Sequence, residues 1–441
     1  LQENKLIEMK KVLIITYYWP PSGGAGVQRW LKFAKYLPQY GWEPIIYTPE
    51  NPDFAVEDLS LLKDISPDLQ VIKKPIWEPY EIYKALIGKK GQKVNVSFAE
   101  GGKKQSLIHK LALSIRGNLL IPDPRCFWIN PSVKYLQEYL KNHPVDAIIS
   151  TGPPHSMHII GLKLHKKTNT PWIADFRDPW TNIDFYKELN LSWLADKIHK
   201  NKEKQVLTHA NKVVSVTPTW CRELSENAGR EVDLVHNGYD EDDIFRTSNP
   251  IDSDFSIVHI GSINAARNPK TLWKALDELL QENEELKKHL KIKFVGNVEA
   301  VVYVDIEQHK LNPYLEKVGY LSHTDAISFQ QTSQMLLLLI NNTPNANGIL
   351  TGKLYEYMAS ARPILAIGPT QSDIANLLQE TNSGIIVDFE DVEGMKSAIS
   401  ELFKKYKTGN LNSKASGYQQ YSRKAQCGVM AQLLNQISDT K

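Results

Sequence analysis

Short apolar runs rich in β-branched residues alternate with longer stretches of helical spacing along most of the 441-residue chain. Val12–Tyr17, Glu43–Thr48, Ala147–Thr151, Trp172–Phe176, Lys212–Thr217 and Val232–His236 form a first series of such runs. Phe255–Gly261, Ile292–Gly296, Lys317–Leu321, Met335–Ile340, Ile364–Ile367 and Gly384–Val387 form a second. Between them, Val27–Tyr40, His155–Lys167, Pro269–Gln281 and Ile374–Glu380 repeat their apolar residues at helical intervals. Strand–helix alternation predicts parallel, doubly wound sheets, and this many strands fit two sheets better than one.

The expected fold class is therefore α/β, with two Rossmann-like domains. The polar stretch Arg246–Asp254 reads as a linker, which divides the chain into residues 1–250 and 251–413. Residues 414–441 carry helical spacing after the last strand, and either close the second domain or cross back onto the first. One section breaks the alternation. Residues 84–116 hold eight lysines and arginines against one glutamate, interleaved with short apolar pieces. This basic insertion is either a solvated surface or one that meets anionic lipid or a polyanionic substrate.

Composition narrows the classes. With 42% hydrophobic and 23% charged residues the chain is globular, and a net charge of +2 excludes a globally basic nucleic-acid binder. Three scattered cysteines, Cys126, Cys221 and Cys427, have no metal-ligand spacing and favour a reducing, cytoplasmic setting. No run approaches the roughly 20 apolar residues of a spanning helix.

Ligands of open parallel sheets bind beyond the carboxyl ends of the strands. The first strand runs into a glycine-rich turn with Gly23, Gly24 and Gly26, which suits either close approach to an anion or a tight strand-to-helix turn. His155 follows Pro153-Pro154, and Arg177 and Asp178 follow the fourth strand. Arg177 and Asp178 are candidates for substrate handling, with a structural Asp–Arg pair as the alternative, and His155 is either a ligand group or a capping or packing histidine. In the second half, Gly261 ends a strand and Arg267 precedes a helix start at Asn268-Pro269. Gly352 and Lys353 open another helix, with Glu356 one turn on. A lysine beside a helix N-terminus is electrostatically awkward unless an anion rests there. Lys353 and Arg267 together could neutralise a diphosphate, while the bland alternative is an i,i+3 pair between Lys353 and Glu356. No metal-binding motif accompanies them; Asp252-Ser253-Asp254 has D-x-D spacing but lies in the linker.

In order along the chain, these pieces resemble glycosyltransferase family four, the retaining nucleotide-sugar transferases of the GT-B fold. The resemblance rests on the glycine-rich first loop, Val235-His236-Asn237-Gly238-Tyr239-Asp240, the Gly261 strand, and the Lys353–Glu356 helix with Arg362-Pro363 behind it. Ile121-Pro122-Asp123, Pro153-Pro154-His155 and Asp175–Trp180 look like a bacterial branch linked to surface-polysaccharide assembly. The resemblance implies that Gly23, Gly24 and Gly26 approach the donor phosphates and the acceptor. It assigns Arg267 and Lys353 to the diphosphate, Glu356 to the ribose, and Tyr320 and Leu321 to the base. Arg177, Asp178 and His155 become the candidates on the sugar or acceptor side.

The implied partners are a UDP- or GDP-linked sugar and a glycan or lipid-linked acceptor, with neither metal nor cofactor and no nucleic acid. The implied setting is cytoplasmic, with the basic insertion open to the inner membrane surface. Three positions depart from the family pattern: Gly348 replaces the first of its paired glutamates, Ser262 replaces an arginine, and Arg177 replaces a histidine. Two other readings stay open, a sugar-nucleotide epimerase or hydrolase on the same scaffold and a non-catalytic nucleotide-sugar-binding subunit.

Overall fold

The computed structural model describes residues 9–53, 57–79, 114–244, 247 and 249–439. Most of the basic insertion lies outside them. Among the described residues, thirteen strands form two sheets in which every strand pairing is parallel. The first contains β1 (Lys10–Ile15), β2 (Trp42–Pro49), β3 (Gln70–Lys74), β4 (Ala147–Gly152), β5 (Trp172–Phe176), β6 (Lys212–Ser215) and β7 (Asp233–Leu234). Their order is β3-β2-β1-β4-β5-β6-β7. The second contains β8 (Phe255–Ile260), β9 (Leu290–Val295), β10 (Leu315–Gly319), β11 (Met335–Leu339), β12 (Ile364–Ile367) and β13 (Gly384–Val387), ordered β10-β9-β8-β11-β12-β13.

Central strands are apolar at successive positions because helices cover both sheet faces. In β4, β5, β8 and β11 every residue is buried. The missed strand, β3, is an edge: of its five residues only Ile72 is buried, and its charges protect an exposed ladder from further pairing. An edge strand shows no apolar run, so hydrophobic patterning alone passes over it.

Packing divides the chain after His236 and again after Ser422, rather than at the expected 250/251 and 413/414. The reason is aromatic. Tyr239 is buried in the second unit and its ring lies 5.9 Å from that of Tyr418, while Tyr421 packs 5.8 Å from Tyr355 and donates to Glu380 at 2.9 Å. The terminal helix is Arg423–Ser438, shorter than its helical spacing suggests, and belongs to the first unit. There Cys427, Met430 and Leu434 join the core formed by Trp30 and Phe33 of the Ala25–Tyr36 helix. Trp42 Nε1 donates to Asn435 at 3.1 Å, and Gln426 accepts from the His236 amide at 2.8 Å.

In each sheet the order reverses direction once, at β1/β4 and at β8/β11. Crevices at such switch points are where this architecture binds ligands. No described helix is long and apolar enough to cross a membrane.

Candidate active site

In the second unit, the turns after β8 and β11 converge at the switch point. Gly261 continues the ladder by donating to Val295 at 2.7 Å with φ +122, a conformation that excludes most side chains. A methyl group there would collide with the Lys353 ammonium, so the glycine makes room for that lysine. Gly296 is constrained likewise: a Cβ would lie 2.8 Å from the Gly261 carbonyl oxygen.

Lys353 sits in the first turn of the Gly352–Ala359 helix, whose N-cap, Thr351, makes no capping hydrogen bond. Tyr357, on the same helix, accepts the Ile260 amide at 3.1 Å and fastens the helix to the end of β8. Among the described residues no hydrogen bond or ion pair reaches the Lys353 ammonium. Burial first, and the Arg267 charge second, lower its pKa from 10.5 to about 8, while Glu356 opposes the shift. The i,i+3 ion pair open to the sequence does not form. Glu356 instead faces the helix that follows β10, with its carboxylate 3.5 Å from His323 Nε2 and 3.4 Å from the Gln330 amide nitrogen.

Arg267 closes a short 3₁₀ turn, Ala265–Arg267, rather than preceding a helix at Asn268; the helix begins at Lys270. Asn264 caps that turn, and Arg267 Nε donates to Asn341 at 2.5 Å, which aligns the guanidinium beside the end of β11. Tyr320 and Leu321 follow β10 at the sheet edge, two strands from β8, and Tyr320 is 87% exposed. The structure thus brings Gly261, Arg267, Gly352, Lys353 and Glu356 together, with Leu321 packed against the core cluster that holds Ile260 and Leu354 and Tyr320 exposed beside it.

Patterning missed three supporting residues. His259 is buried beneath this group, with Nδ1 2.9 Å from the Leu337 carbonyl oxygen. Burial and the Lys353 charge hold its pKa down at about 3, so it stays neutral. A histidine inside an apolar run reads as core, and nothing local distinguishes it. Asn341 and Tyr357 act through partners far along the chain and leave no local signal either.

The first unit treats its charges differently. Asp175 is fully buried and accepts from Arg29 at 3.1 and 3.3 Å, Trp30 Nε1 at 2.7 Å and Thr151 Oγ1 at 2.9 Å. The structural Asp–Arg pair exists, but its arginine is Arg29. Arg177 donates at 2.6 Å to the carbonyls of both Gly26 and Pro153, so it ties the glycine-rich turn to the loop after β4. Gly24, at φ +89, is the N-cap of the Ala25–Tyr36 helix, and Gly23 precedes it. A Cβ on Gly26 would come within 3.0 Å of the Tyr18 ring.

His155 is buried and stacked on Trp180 at 4.7 Å, and it lines the same cavity as Asp178. Burial, His158 and Arg177 push its pKa well below 6.5. Asp123 accepts from the Ser156 amide and hydroxyl, both at 2.8 Å, which joins the Ile121-Pro122-Asp123 and Pro153-Pro154-His155 segments. Asp178 is the exception. No hydrogen bond or ion pair among the described residues reaches its carboxylate, and burial raises its pKa against the pull of Arg177. It lines a cavity of about 320 Å³ beside Tyr18, Pro153, Pro154 and Tyr186.

The profile of Glycosyltransferase Family 4 matches residues 23–243, and that of Glycosyl transferases group 1 matches residues 254–405. No curated protein sequence matches the chain. Among solved structures the chain is similar to a sucrose-phosphate synthase from Thermosynechococcus elongatus, at 14% identity and TM-score 0.65 over 98% of this chain and 100% of that one. It is similar to Anabaena HepE in complex with UDP-glucose, at 11% identity and TM-score 0.54 over 98% of each chain. A third is a putative UDP-N-acetylglucosamine 2-epimerase from Listeria monocytogenes, at 11% identity and TM-score 0.55 over 98% of each. At such identities these three establish a shared fold, the GT-B arrangement of two Rossmann-like domains. The first profile alone spans half of the chain, and on that match the protein belongs to Glycosyltransferase Family 4 and is a glycosyltransferase.

Proposed function

We propose that the protein transfers a sugar, with retention and without a metal, from a UDP- or GDP-linked donor to a glycan or lipid-linked saccharide. The setting is surface-polysaccharide assembly on the cytoplasmic side, with the basic segment 84–116 against the membrane. One observation carries the donor half of this reading. Lys353 holds a desolvated ammonium beside Arg267 and a helix N-terminus, with no carboxylate pairing it. Two cations and a helix end forced together are unfavourable until an anion arrives.

A diphosphate suits the site, and negative charge grows on it as the glycosidic bond breaks. Cations preorganised for that charge are the largest catalytic contribution open to such a site. Arg267, oriented by Asn341, grips phosphate oxygens through its fork, and Lys353 supplies a point charge. Glu356 accepts ribose hydroxyls. The acceptor hydroxyl attacks from the face the diphosphate leaves, and its proton passes to a phosphate oxygen. Asp178 serves the sugar or acceptor side, with His155, stacked on Trp180, packed in the wall beside it.

HepE in complex with UDP-glucose supports a nucleotide-sugar donor, while the putative epimerase neighbour keeps donor isomerisation as the competing outcome. A thermal-shift panel of UDP- and GDP-sugars names the donor, because a ligand that binds the folded state stabilises it by mass action. Transfer to a lipid-linked saccharide is then measured with Lys353→Ala and Glu356→Ala. Loss of transfer in both supports the reading; near-normal turnover, or epimerised donor in place of transfer, overturns it.

A further inference from the structure

The Trp193–His209 helix in the first unit begins against the usual composition of a helix start. Ser192 caps it by accepting the Ala195 amide at 3.3 Å, and its first two residues are Trp193, 74% exposed, and Leu194, 59% exposed. Acidic and polar residues are the ordinary occupants of a first turn. The inward side of this helix is already filled by Ala195, His199, Val206 and Leu207, so core packing does not account for the pair. Asn118 fastens a second segment to the same place: it accepts from the Ser192 amide at 2.7 Å and donates to the Asn190 carbonyl at 3.2 Å. Its neighbour Leu119 is 73% exposed, and Ile115, one helical turn before, is exposed as well. Trp77 and Phe127, edge to face at 4.8 Å, form a further exposed pair.

Topology gathers these side chains at one end of the first sheet. Its strands are all parallel; Trp77 follows β3, Trp193 opens the helix that follows β5, and Phe127 lies in the first turn of the Cys126–Asn142 helix, which leads into β4. Each therefore stands at the carboxyl-end rim of the sheet. Large apolar side chains exposed together mark an interaction surface. Charge indicates its kind. The Lys197 ammonium lies 5.0 Å from the centre of the Trp193 ring. Of the nearby acids, Asp196 is paired with Lys200 at 2.8 Å, and the exposed Asp184 and Glu188 flank an exposed Lys187. Residues 80–113, which run between Trp77 and Ile115 in the chain, add seven lysines against two glutamates. Lysine is depleted from protein–protein interfaces. Tryptophan and leucine ringed by lysine are instead the composition of an anchor at an anionic lipid boundary.

We propose that this rim docks on an anionic lipid surface, with Trp193, Leu194 and Leu119 entering the headgroup layer and Trp77 and Phe127 making a second contact. The proposal rests on the membrane setting of the transferase reading and deepens it: apolar side chains of the folded unit make the contact, and not charge alone. Lys197 meets lipid phosphates while the Trp193 ring stays at headgroup level. One helical turn and a short segment beside it reach only a shallow depth, so binding is reversible and depends on both the apolar residues and the anionic lipid.

Co-sedimentation of the full chain with vesicles tests this, using phosphatidylcholine alone and a roughly one-to-two mixture of phosphatidylglycerol and phosphatidylcholine. UDP and GDP binding is followed in parallel. Wild type should bind the mixed vesicles and leave the neutral ones largely free. Trp193→Ser combined with Leu194→Ser should weaken binding at least about tenfold, and Leu119→Ser a few-fold, with melting temperature and nucleotide affinity unchanged. Lipid brominated in its acyl chains should quench tryptophan emission of the wild type. Trp193→Phe combined with Trp77→Phe should lose most of that quenching while still binding, a signature that contact by charge alone would not produce. The proposal is overturned if wild type ignores the mixed vesicles, if neutral vesicles bind as tightly, or if the serine variants bind equally well and only salt weakens them. A wild-type dimer that Trp193→Ser dissociates, or a lower melting temperature in the serine variants, would also overturn it by showing that protein covers the rim. Failure of UDP and GDP to bind would instead count against the transferase reading, so the two failures are distinguishable.

Discussion

The two switch-point crevices hold similar charges and spend them in opposite ways. In the first unit, Asp175, Arg177 and Asp123 are consumed by the protein: each meets backbone or side-chain partners at hydrogen-bond distance and locks one part of the fold to another. In the second, Lys353 is desolvated and left without a partner, and Arg267 is aligned beside it. A conspicuous charged motif at a strand end is thus poor evidence of ligand binding by itself. What distinguishes a ligand site is a charge the fold has partly desolvated and not paired.

The contrast can be broken most forcefully at Asp175. Asp175→Ala strands Arg29, Trp30 and Thr151 in a dry interior, and removing one partner of a buried charged pair costs about 3–5 kcal/mol. Urea unfolding should show that loss, with donor-nucleotide affinity of the surviving folded protein unchanged. A mild stability change would mean that the first crevice is not built around this hub.

Acid should weaken both units, the first more than the second, since His155 and His158 are both held neutral in the first and His259 in the second. Burial holds His158 at about 3 and His155 well below 6.5, so both stay neutral in the folded first unit. An unfolded chain takes up their protons as the pH falls through 6.5. Their contribution is therefore complete above that value and lost progressively below it, by roughly 1–3 kcal/mol at pH 4.5. Hydrogen exchange across pH 7 to 4.5 should show α-helix Ser156–Thr168 losing protection with acid, and His158→Gln should flatten the trend.

The smallest effect concerns Glu356. If it holds ribose hydroxyls, Glu356→Gln should weaken UDP or GDP by about 1–2 kcal/mol and leave the 2′,3′-dideoxy nucleotide unaffected. Equal loss for both would place Glu356 in a purely structural role with His323 and Gln330.

Most of the architecture was legible in the residues because strand and helix periods are local. All twelve strands named from spacing are present, three of them (Trp172–Phe176, Ile364–Ile367 and Gly384–Val387) with unchanged bounds. The four helices between them need only end adjustments, and the misses have physical causes. β3 is a charged edge, and the seam is set by Tyr239 and Tyr421, whose partners lie far away in sequence. In the second crevice, Lys353, Arg267 and Glu356 were visible because each breaks or completes a local helix-end rule. His259, Asn341 and Tyr357 were not, since each supports the group through contacts about 75 to 100 residues distant. In the first crevice the motif residues were visible but not their allegiance: Arg177 and Asp178 are neighbours, yet one is bound to carbonyls and the other open.

The decisive measurement is a calorimetric titration of whichever of UDP and GDP stabilises the wild type, at pH 7.5 and 9.5, repeated on Lys353→Met. Lys353 titrates near 8 before an anion binds, and an anion favours its charged form. Wild type should therefore take up a proton on binding at the higher pH and lose roughly tenfold in affinity between the two. Lys353→Met should bind at least about tenfold more weakly at pH 7.5, show no such pH dependence, and unfold at an equal or higher urea concentration. Undiminished binding by a folded Lys353→Met protein, or a wild-type affinity indifferent to pH, would contradict the claim that this lysine is kept unpaired for a diphosphate.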